Sequence, residues 1–407
     1  IDTRPLRRHR DFRLLWIGQG VAFFGSMVTT VAVPYQVYQL THSTLAVGSL
    51  ELAAFVPLVT LGLVGGAYAD AHDRRRMVLV CGAGMMLTAA VLAANSVQAR
   101  PLLAVIFVVE FFRNAVYAMQ RPSLDALLPR LVDRDELAAA GALGSLRGTA
   151  GMILGPALGG VMIAGLGLPI TYAVEIAGFG FSLLTLWLMR AVPPPTGAEP
   201  PSLRRIAEGL RYARSRQELI GTYAVDIVAM FFGMPMALFP AIADHLGGAR
   251  VLGLLFAAPA VGSLVATATS GWTNRVHRHG RAVIVAAVAW GLAIIGFGLT
   301  HSLWPALVFL ALAGAADMVS GIFRMVIWNQ TIPDHLRGRL AGIELISYTS
   351  GPTLGNFEAG AVAAAFGVTA SILSGGVLCV LGAAVCALLL PRFRRYDARS
   401  LLPAPGT

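Results

Sequence analysis

Residues 45–69 read LAVGSLELAAFVPLVTLGLVGGAYA, residues 70–76 read DAHDRRR, and residues 77–98 read MVLVCGAGMMLTAAVLAANSVQ. Each flank is long enough to cross a bilayer, which takes about 20 predominantly apolar residues in an α-helix. Glu51 is the single charged residue of the first flank, and the second has none. Between them, three arginines and two aspartates crowd into seven residues. An apolar run, a short charged turn and a second apolar run form the repeating unit of a helical membrane protein. Backbone groups in lipid must be satisfied within the segment, so helices span it and charge collects at the turns.

Working outward, the same unit recurs. Apolar stretches broken by charge, Gly, Pro or turn residues fall at about 14–40, 45–69, 77–98, 101–127, 137–165, 168–190, 219–243, 249–271, 282–300, 303–328, 339–365 and 368–390. The chain has no lysine, so its 31 basic residues are all arginine. With the N-terminus placed in the cytoplasm, 26 arginines fall on inward segments, two (Arg100 and Arg250) on outward loops, and Arg113, Arg147 and Arg324 within spans. This is the positive-inside bias, and a missed or false span would scramble it. The expectation is an all-α polytopic membrane protein of twelve transmembrane helices in two pseudo-symmetric six-helix bundles, with both termini cytoplasmic.

Composition agrees. The chain is 56% hydrophobic and 13% charged, about half the charge of a soluble protein, too little to coat the surfaces of soluble domains this long. The net charge of +10 is spread between apolar runs and is not gathered with stacking aromatics, which argues against nucleic acid. Cys81, Cys379 and Cys386 lie in apolar runs and read as small buried hydrophobes. No metal-ligand spacing or Ser/His/Asp set stands out, and a chain without lysine cannot build a P-loop; no enzyme activity, metal or cofactor is expected. The apolar region behind the N-terminal arginines is far too long for a cleavable signal peptide.

The longest inward segment divides the chain. Pro193-Pro194-Pro195 and Pro200-Pro201 precede Ser202, and Leu203, Ile206, Leu210 and Ala213 share one face of a short amphipathic helix, which reads as interfacial. The predicted division is a bundle at 1–190, a cytoplasmic linker at 191–218, and a second bundle with a short tail at 219–407. A weak internal repeat supports two related halves. Pro129-Arg-Leu-Val-Asp-Arg-Asp-Glu-Leu-Ala precedes span 5, and Pro333-Asp-His-Leu-Arg-Gly-Arg-Leu-Ala precedes span 11. Gly155-Pro156-Ala-Leu-Gly159 answers Gly351-Pro352-Thr-Leu-Gly355. Parallel repeats of this kind place a substrate site near the midplane.

Gly65-Gly66-Ala-Tyr-Ala-Asp70-Ala-His-Asp73-Arg74-Arg75-Arg76 resembles the motif A loop of the major facilitator superfamily, departing from it at Tyr68, Ala71 and Asp73. The resemblance implies that Gly66, Asp70, Arg74 and Arg75 form a gate and that Asp125, at the end of span 4, latches to Arg74. In span 5, Gly151-Met-Ile-Leu-Gly155-Pro156-Ala-Leu-Gly159-Gly160 is similar to motif C, which marks exporters in that superfamily. Physically, small residues four apart let helix backbones approach closely, and the proline permits a bend. Val31-Ala-Val-Pro34-Tyr-Gln36, Thr41-His42-Ser43-Thr44-Leu-Ala-Val47-Gly48 and Phe239-Pro240-Ala-Ile-Ala243-Asp244 resemble the branch that holds enterobactin exporters and drug:proton antiporters.

Ionisable residues in mid-membrane cost about 2.5–3.5 kcal/mol each on insertion scales and mark function by default. Glu110 and Arg113 are three apart on one face of span 4 and are expected to pair. Asp317, midway along span 10, is the counterpart of Arg113 in the other half, and the two are expected to meet across a central cavity. Asp226 and Glu51 are further cavity candidates. Glu175, Glu344 and Glu358 read as solvated acids nearer helix ends. Arg147 and Arg324 are placed to bind an anion or neutralise an acid. Phe111, Phe112, Tyr117, Phe231, Phe232, Phe323 and Trp328 are candidate ring faces for a substrate. Burial makes a carboxylate hold its proton, and a guanidinium opposes this, so charge pairs that separate can capture and release protons.

The expected function is a proton-coupled secondary transporter that exports a siderophore or amphipathic drug by alternating access. Its partners would be that small molecule, protons and the lipid bilayer of a bacterial inner membrane, and a monomer would suffice. An importer of a small molecule and a non-transporting receptor are the alternatives.

Overall fold

The computed structural model describes residues 2–71, 73–190 and 211–401. The predicted amphipathic helix therefore lies mostly outside the described residues. Among those described there is no strand. Ten helical stretches are long and apolar enough to cross a membrane. One of them, of 54 residues, is two spans joined at Gly167. With Asp334–Phe366 added, twelve spans follow: α1 Arg10–Thr41, α2 Thr44–Ala71, α3 Arg74–Ser96, α4 Leu103–Leu131, then α5 and α6 as the two arms of Leu137–Trp187. Beyond the linker come α7 Gln217–Phe232 with its continuation to Leu246, α8 Ala249–Ala268, α9 His279–Gly298, α10 Leu303–Thr331, α11 Asp334–Phe366 and α12 Val368–Leu389.

The chain forms two compact units, Ile1–Pro201 with Pro240–Ala257, and Ser202–Phe239 with Ala258–Thr407. In the first, α1 packs on the α5–α6 hairpin, α2 on α4, and α3 on both α4 and α6. The second repeats the scheme: α7 packs on α11, and α9 on α10 and α12. The remaining part of α8 lies on α10, where the Ser263 hydroxyl donates to the Gly314 carbonyl at 2.9 Å.

The turns repeat as well. Positive φ values occur at His42 between α1 and α2 and at Gly167 between α5 and α6. In the second half they occur at Gly247 and Gly248 between α7 and α8 and at Gly367 between α11 and α12. Left-handed backbone lets a helix end reverse within a residue or two. The Thr41-His42-Ser43-Thr44 stretch is thus a turn: His42 caps α1 in the left-handed region, and Ser43 Oγ accepts the Ala46 N–H at 3.3 Å.

α7 is broken at Gly233-Met-Pro235, and the freed backbone groups find partners, as they must in lipid. Trp290 Nε1 donates to the Gly233 carbonyl at 3.1 Å, and Asn356 Oδ1 accepts the Ala237 N–H at 3.0 Å. Cys81, Cys379 and Cys386 are free and buried, as their apolar settings predict.

Candidate functional site

In the first unit, the charged side chains of three helices gather in one layer. Glu51 lies seven residues into α2 and Glu110 seven into α4. Glu175 lies eight beyond the Gly167 turn. At 1.5 Å rise per residue, all three sit about 10–12 Å from the same end of the bundle. Arg113 lies one turn deeper on α4, and its guanidinium grips Glu175 with both nitrogens, Nη2 to Oε1 at 2.8 Å and Nη1 to Oε2 at 3.0 Å. Ser26 of α1 donates a third bond to Glu175 at 3.1 Å. Glu175 is completely buried and Arg113 nearly so. Bidentate geometry with the remaining lone pairs satisfied is what makes a buried ion pair tolerable.

This corrects two expectations. Glu175 is not a solvated helix-end acid, and Glu110 makes no ion pair with Arg113. Instead Asn114 donates to Glu110 Oε1 at 2.8 Å. Three residues on one helix face are within reach of each other, but Arg113 extends across to α6, where an acid from another helix approaches end-on. Glu51 and Tyr172 lie within electrostatic reach of Glu110. The buried Tyr172 hydroxyl donates to Gln36 Oε1 at 2.7 Å, while Gln36 Nε2 is buried without an acceptor. Glu175 therefore takes the Arg113 guanidinium for itself, and Glu110 lies near enough to feel its charge.

In the second unit, Arg324 is the hub. Its guanidinium contacts the Asp226 carboxylate from α7 and, at 3.5 Å, Asp317 two turns away on its own helix. Asp226 and Arg324 are buried, whereas the Asp317 side chain is 41% exposed. The ion pair of Asp317 is thus made with Arg324 inside its own unit. Arg147 on α5 differs from all of these. Its stem lies against Gly20 of α1, its Nε is buried without a hydrogen-bond partner, and no carboxylate among the described residues pairs with it.

Among the candidate ring faces, Phe323 and Trp328 are buried in packing. Phe323 stacks on His279 at 5.3 Å, and Trp328 Nε1 donates to Thr222 at 2.8 Å. Phe111, Phe112 and Tyr117 are exposed, and Phe231 and Phe232 are half-buried.

The motif A loop is a helix-end clamp. Asp73, a departure from the motif, N-caps α3 by accepting the Arg76 N–H at 2.9 Å. Arg75 donates from Nε to the Leu186 carbonyl at 2.6 Å and from Nη2 to Trp187, covering orphan carbonyls at the end of α6. Arg74 is buried and donates to the Ala126 carbonyl of α4 at 3.1 Å. The expected Asp125–Arg74 latch is not formed. Asp125 is 68% exposed and pairs with Arg121, one turn back, at 3.3 Å. The surroundings of Gly66 and the side chains of Asp70 and Glu344 lie outside the described ones.

Motif C lies where helices touch. A Cβ on Gly151 would strike the Phe23 ring at 2.6 Å, and one on Gly159 the Val28 carbonyl at 2.9 Å; Gly155 abuts Met27. A Cβ on Gly160 would lie 2.9 Å from the Gly253 Cα of α8. The glycines thus allow α1 and the start of α8 to approach α5 backbone to backbone.

The family model described as "Transmembrane secretion effector" (MFS_3) matches residues 3–406. The chain belongs to this major facilitator family. Curated relatives of this MFS_3 member include the enterobactin exporter EntS of Citrobacter koseri, 29% identical over 97% of this chain and 95% of that one. EntS of Shigella boydii serotype 18 is 28% identical with the same coverage. Solved structures share the fold at low identity. A bacterial homologue of the human lysosomal transporter Spinster superposes with a TM-score of 0.75 over both whole chains at 15% identity. A variant of the peptide transporter POT does so with 0.77 over 96% of each chain at 12%. This MFS_3 chain is a multi-pass membrane transporter of the major facilitator type and not an enzyme.

Proposed function

We propose that the chain is a proton-coupled exporter of an amphipathic small molecule of the siderophore class, working by alternating access in a bacterial inner membrane with both termini cytoplasmic. The observation that carries this reading is the imbalance of the buried clusters. In each unit one arginine holds one carboxylate tightly, Arg113 with Glu175 and Arg324 with Asp226. Each also leaves a second carboxylate loosely held: Glu110 on a neutral amide, and Asp317 at 3.5 Å and 41% exposed. A carboxylate without a tight cation is the group that gains and loses a proton at least cost as its surroundings alternate between wet and dry. Glu110 and Asp317 are the coupling acids in this reading, with Glu51 beside Glu110, and Asp226 and Arg113 as fixed counter-ions.

Export rests on the motif C packing of Gly151, Gly155, Pro156, Gly159 and Gly160 and on the likeness to enterobactin exporters. Arg147, a cation with no carboxylate partner among the described residues, and the exposed rings of Phe111 and Phe112 suit an anionic aromatic cargo. The motif A residues Gly66, Asp70, Arg74 and Arg75 are assigned to the gate between helix ends. The two six-helix bundles at 1–190 and 219–407, joined by the linker at 191–218, are sufficient as a monomer.

The test is transport in proteoliposomes under an imposed pH gradient, with a ferric-free catechol siderophore beside a cationic dye, for the wild type and Asp317→Asn. Gradient-driven siderophore movement that Asp317→Asn abolishes is the expected result. Dye movement alone would make the protein a drug exporter, and siderophore movement indifferent to both gradient and substitution would overturn proton coupling.

A further inference from the structure

Three helix ends far apart in sequence enclose a pocket of about 330 Å³ at one face of the first unit. Its lining includes Arg8 and His9 just before α1, Arg10 and Asp11 at its start, Arg130 from the end of α4 and Arg190 just beyond α6. Asp11 is the one acid of that lining. Buried Glu136 neutralises part of the charge by accepting from Arg8 at 3.3 Å and from His9 at 3.0 Å. Arg10 and Arg190 pair with no acid among the described residues. Positive charge at a helix end serves membrane topology wherever it falls, but topology does not require arginines from three helices to converge on one concavity.

We propose that this pocket binds the phosphate headgroup of an anionic phospholipid. The chemistry is guanidinium to phosphate, for which arginine forks are well suited. The volume lies in the range of small-ligand clefts. The lipid source follows from placement. The pocket lies at the ends of membrane-spanning helices, and Ile17 on α1 and Trp187 and Leu188 at the end of α6 expose large apolar side chains on the same helix ends, where acyl chains would lie. Basic pockets between helix ends at a membrane face bind anionic headgroups in this way.

The experiment is native mass spectrometry of the full-length protein in detergent, titrated with phosphatidylglycerol, with phosphatidylcholine of the same acyl chains, or with inorganic phosphate. The variants are Arg10→Gln with Arg190→Gln, and a control with equal charge loss in an exposed loop of the second unit, Arg275→Gln with Arg278→Gln. Each surface arginine contributes about fivefold to binding an anionic membrane lipid, so the pocket variant should weaken the first phosphatidylglycerol bound by roughly 25-fold. The control should leave it unchanged, and phosphatidylcholine should not compete. Equal loss in both variants, or in neither, overturns the site. Displacement of the lipid by millimolar inorganic phosphate would reassign the pocket to a soluble phosphate and overturn the lipid assignment. Arg190→Gln alone, with about a fivefold loss, keeps the test open if the double variant is unstable.

Discussion

Removing one side of the Arg113–Glu175 pair should unfold the first unit far more readily than removing both. Glu175 is fully buried and receives two guanidinium bonds at 2.8 and 3.0 Å and a hydroxyl at 3.1 Å. Arg113→Met leaves that carboxylate uncompensated, and Glu175→Met leaves the guanidinium so. Loss of one partner of a buried pair costs about 3–5 kcal/mol. For a unit of this size, each kcal/mol shifts the melting midpoint by about 2–4 °C, so each single variant should melt on the order of 10 °C lower. The double variant, with an apolar pair of similar volume, should return to within about 1 kcal/mol of wild type, because both desolvation penalties disappear together. Thermal unfolding in detergent at one scan rate, read as a double-mutant cycle, gives the coupling energy. Single variants within about 2 °C of wild type, or a double variant as unstable as the sum of the singles, would refute the claim that this pair is buried and mutually dependent. The double variant also separates stability from mechanism: it should be folded and inactive in transport.

Asp226→Asn should lower the melting midpoint more than Asp317→Asn does, because Asp226 is 6% exposed and Asp317 41%; the same thermal assay ranks them. Gly159→Val should cost about 1–3 kcal/mol by overpacking α5 against the Val28 carbonyl of α1, whereas Gly144→Val, where a Cβ meets nothing within 4 Å, should cost far less. Gly167→Ala should cost about 1–3 kcal/mol, since φ is +79° and ψ 171° there, a region essentially reserved for glycine. Asp73→Ala should remove the α3 cap for about 1 kcal/mol, with little change in transport, because Arg75 still holds the end of α6.

The spans were legible in the sequence because hydropathy acts through the bilayer, which imposes a length on each segment alone. Motif C was legible for a similar reason: small residues four apart describe a helix face before its partner is known. The charge pairs were not. Glu110 and Arg113 share a helix face, and local spacing favoured them, yet Arg113 reaches an acid that is 62 residues away and belongs to another helix. The depth of Glu175, eight residues beyond the Gly167 turn, matches that of Glu51 and Glu110, but its partners on α1 and α4 are set by packing and not by local spacing. The Asp317–Arg324 pair was within reach of spacing alone, because seven residues return to the same face after two turns. The Asp125–Arg74 latch came from resemblance at a position where the helix end carries its own arginine, Arg121, one turn away. A local partner on the exposed face satisfies Asp125 without crossing to α3.

Proton coupling through Glu110 and Asp317 is the central claim, and substrate-evoked proton movement tests it most directly. Proteoliposomes loaded with a pH-sensitive dye and given a ferric-free catechol siderophore should show a pH change in wild type. The change should be absent in the folded double variant Glu110→Gln with Asp317→Asn. A pH change of equal size in that variant would contradict the account.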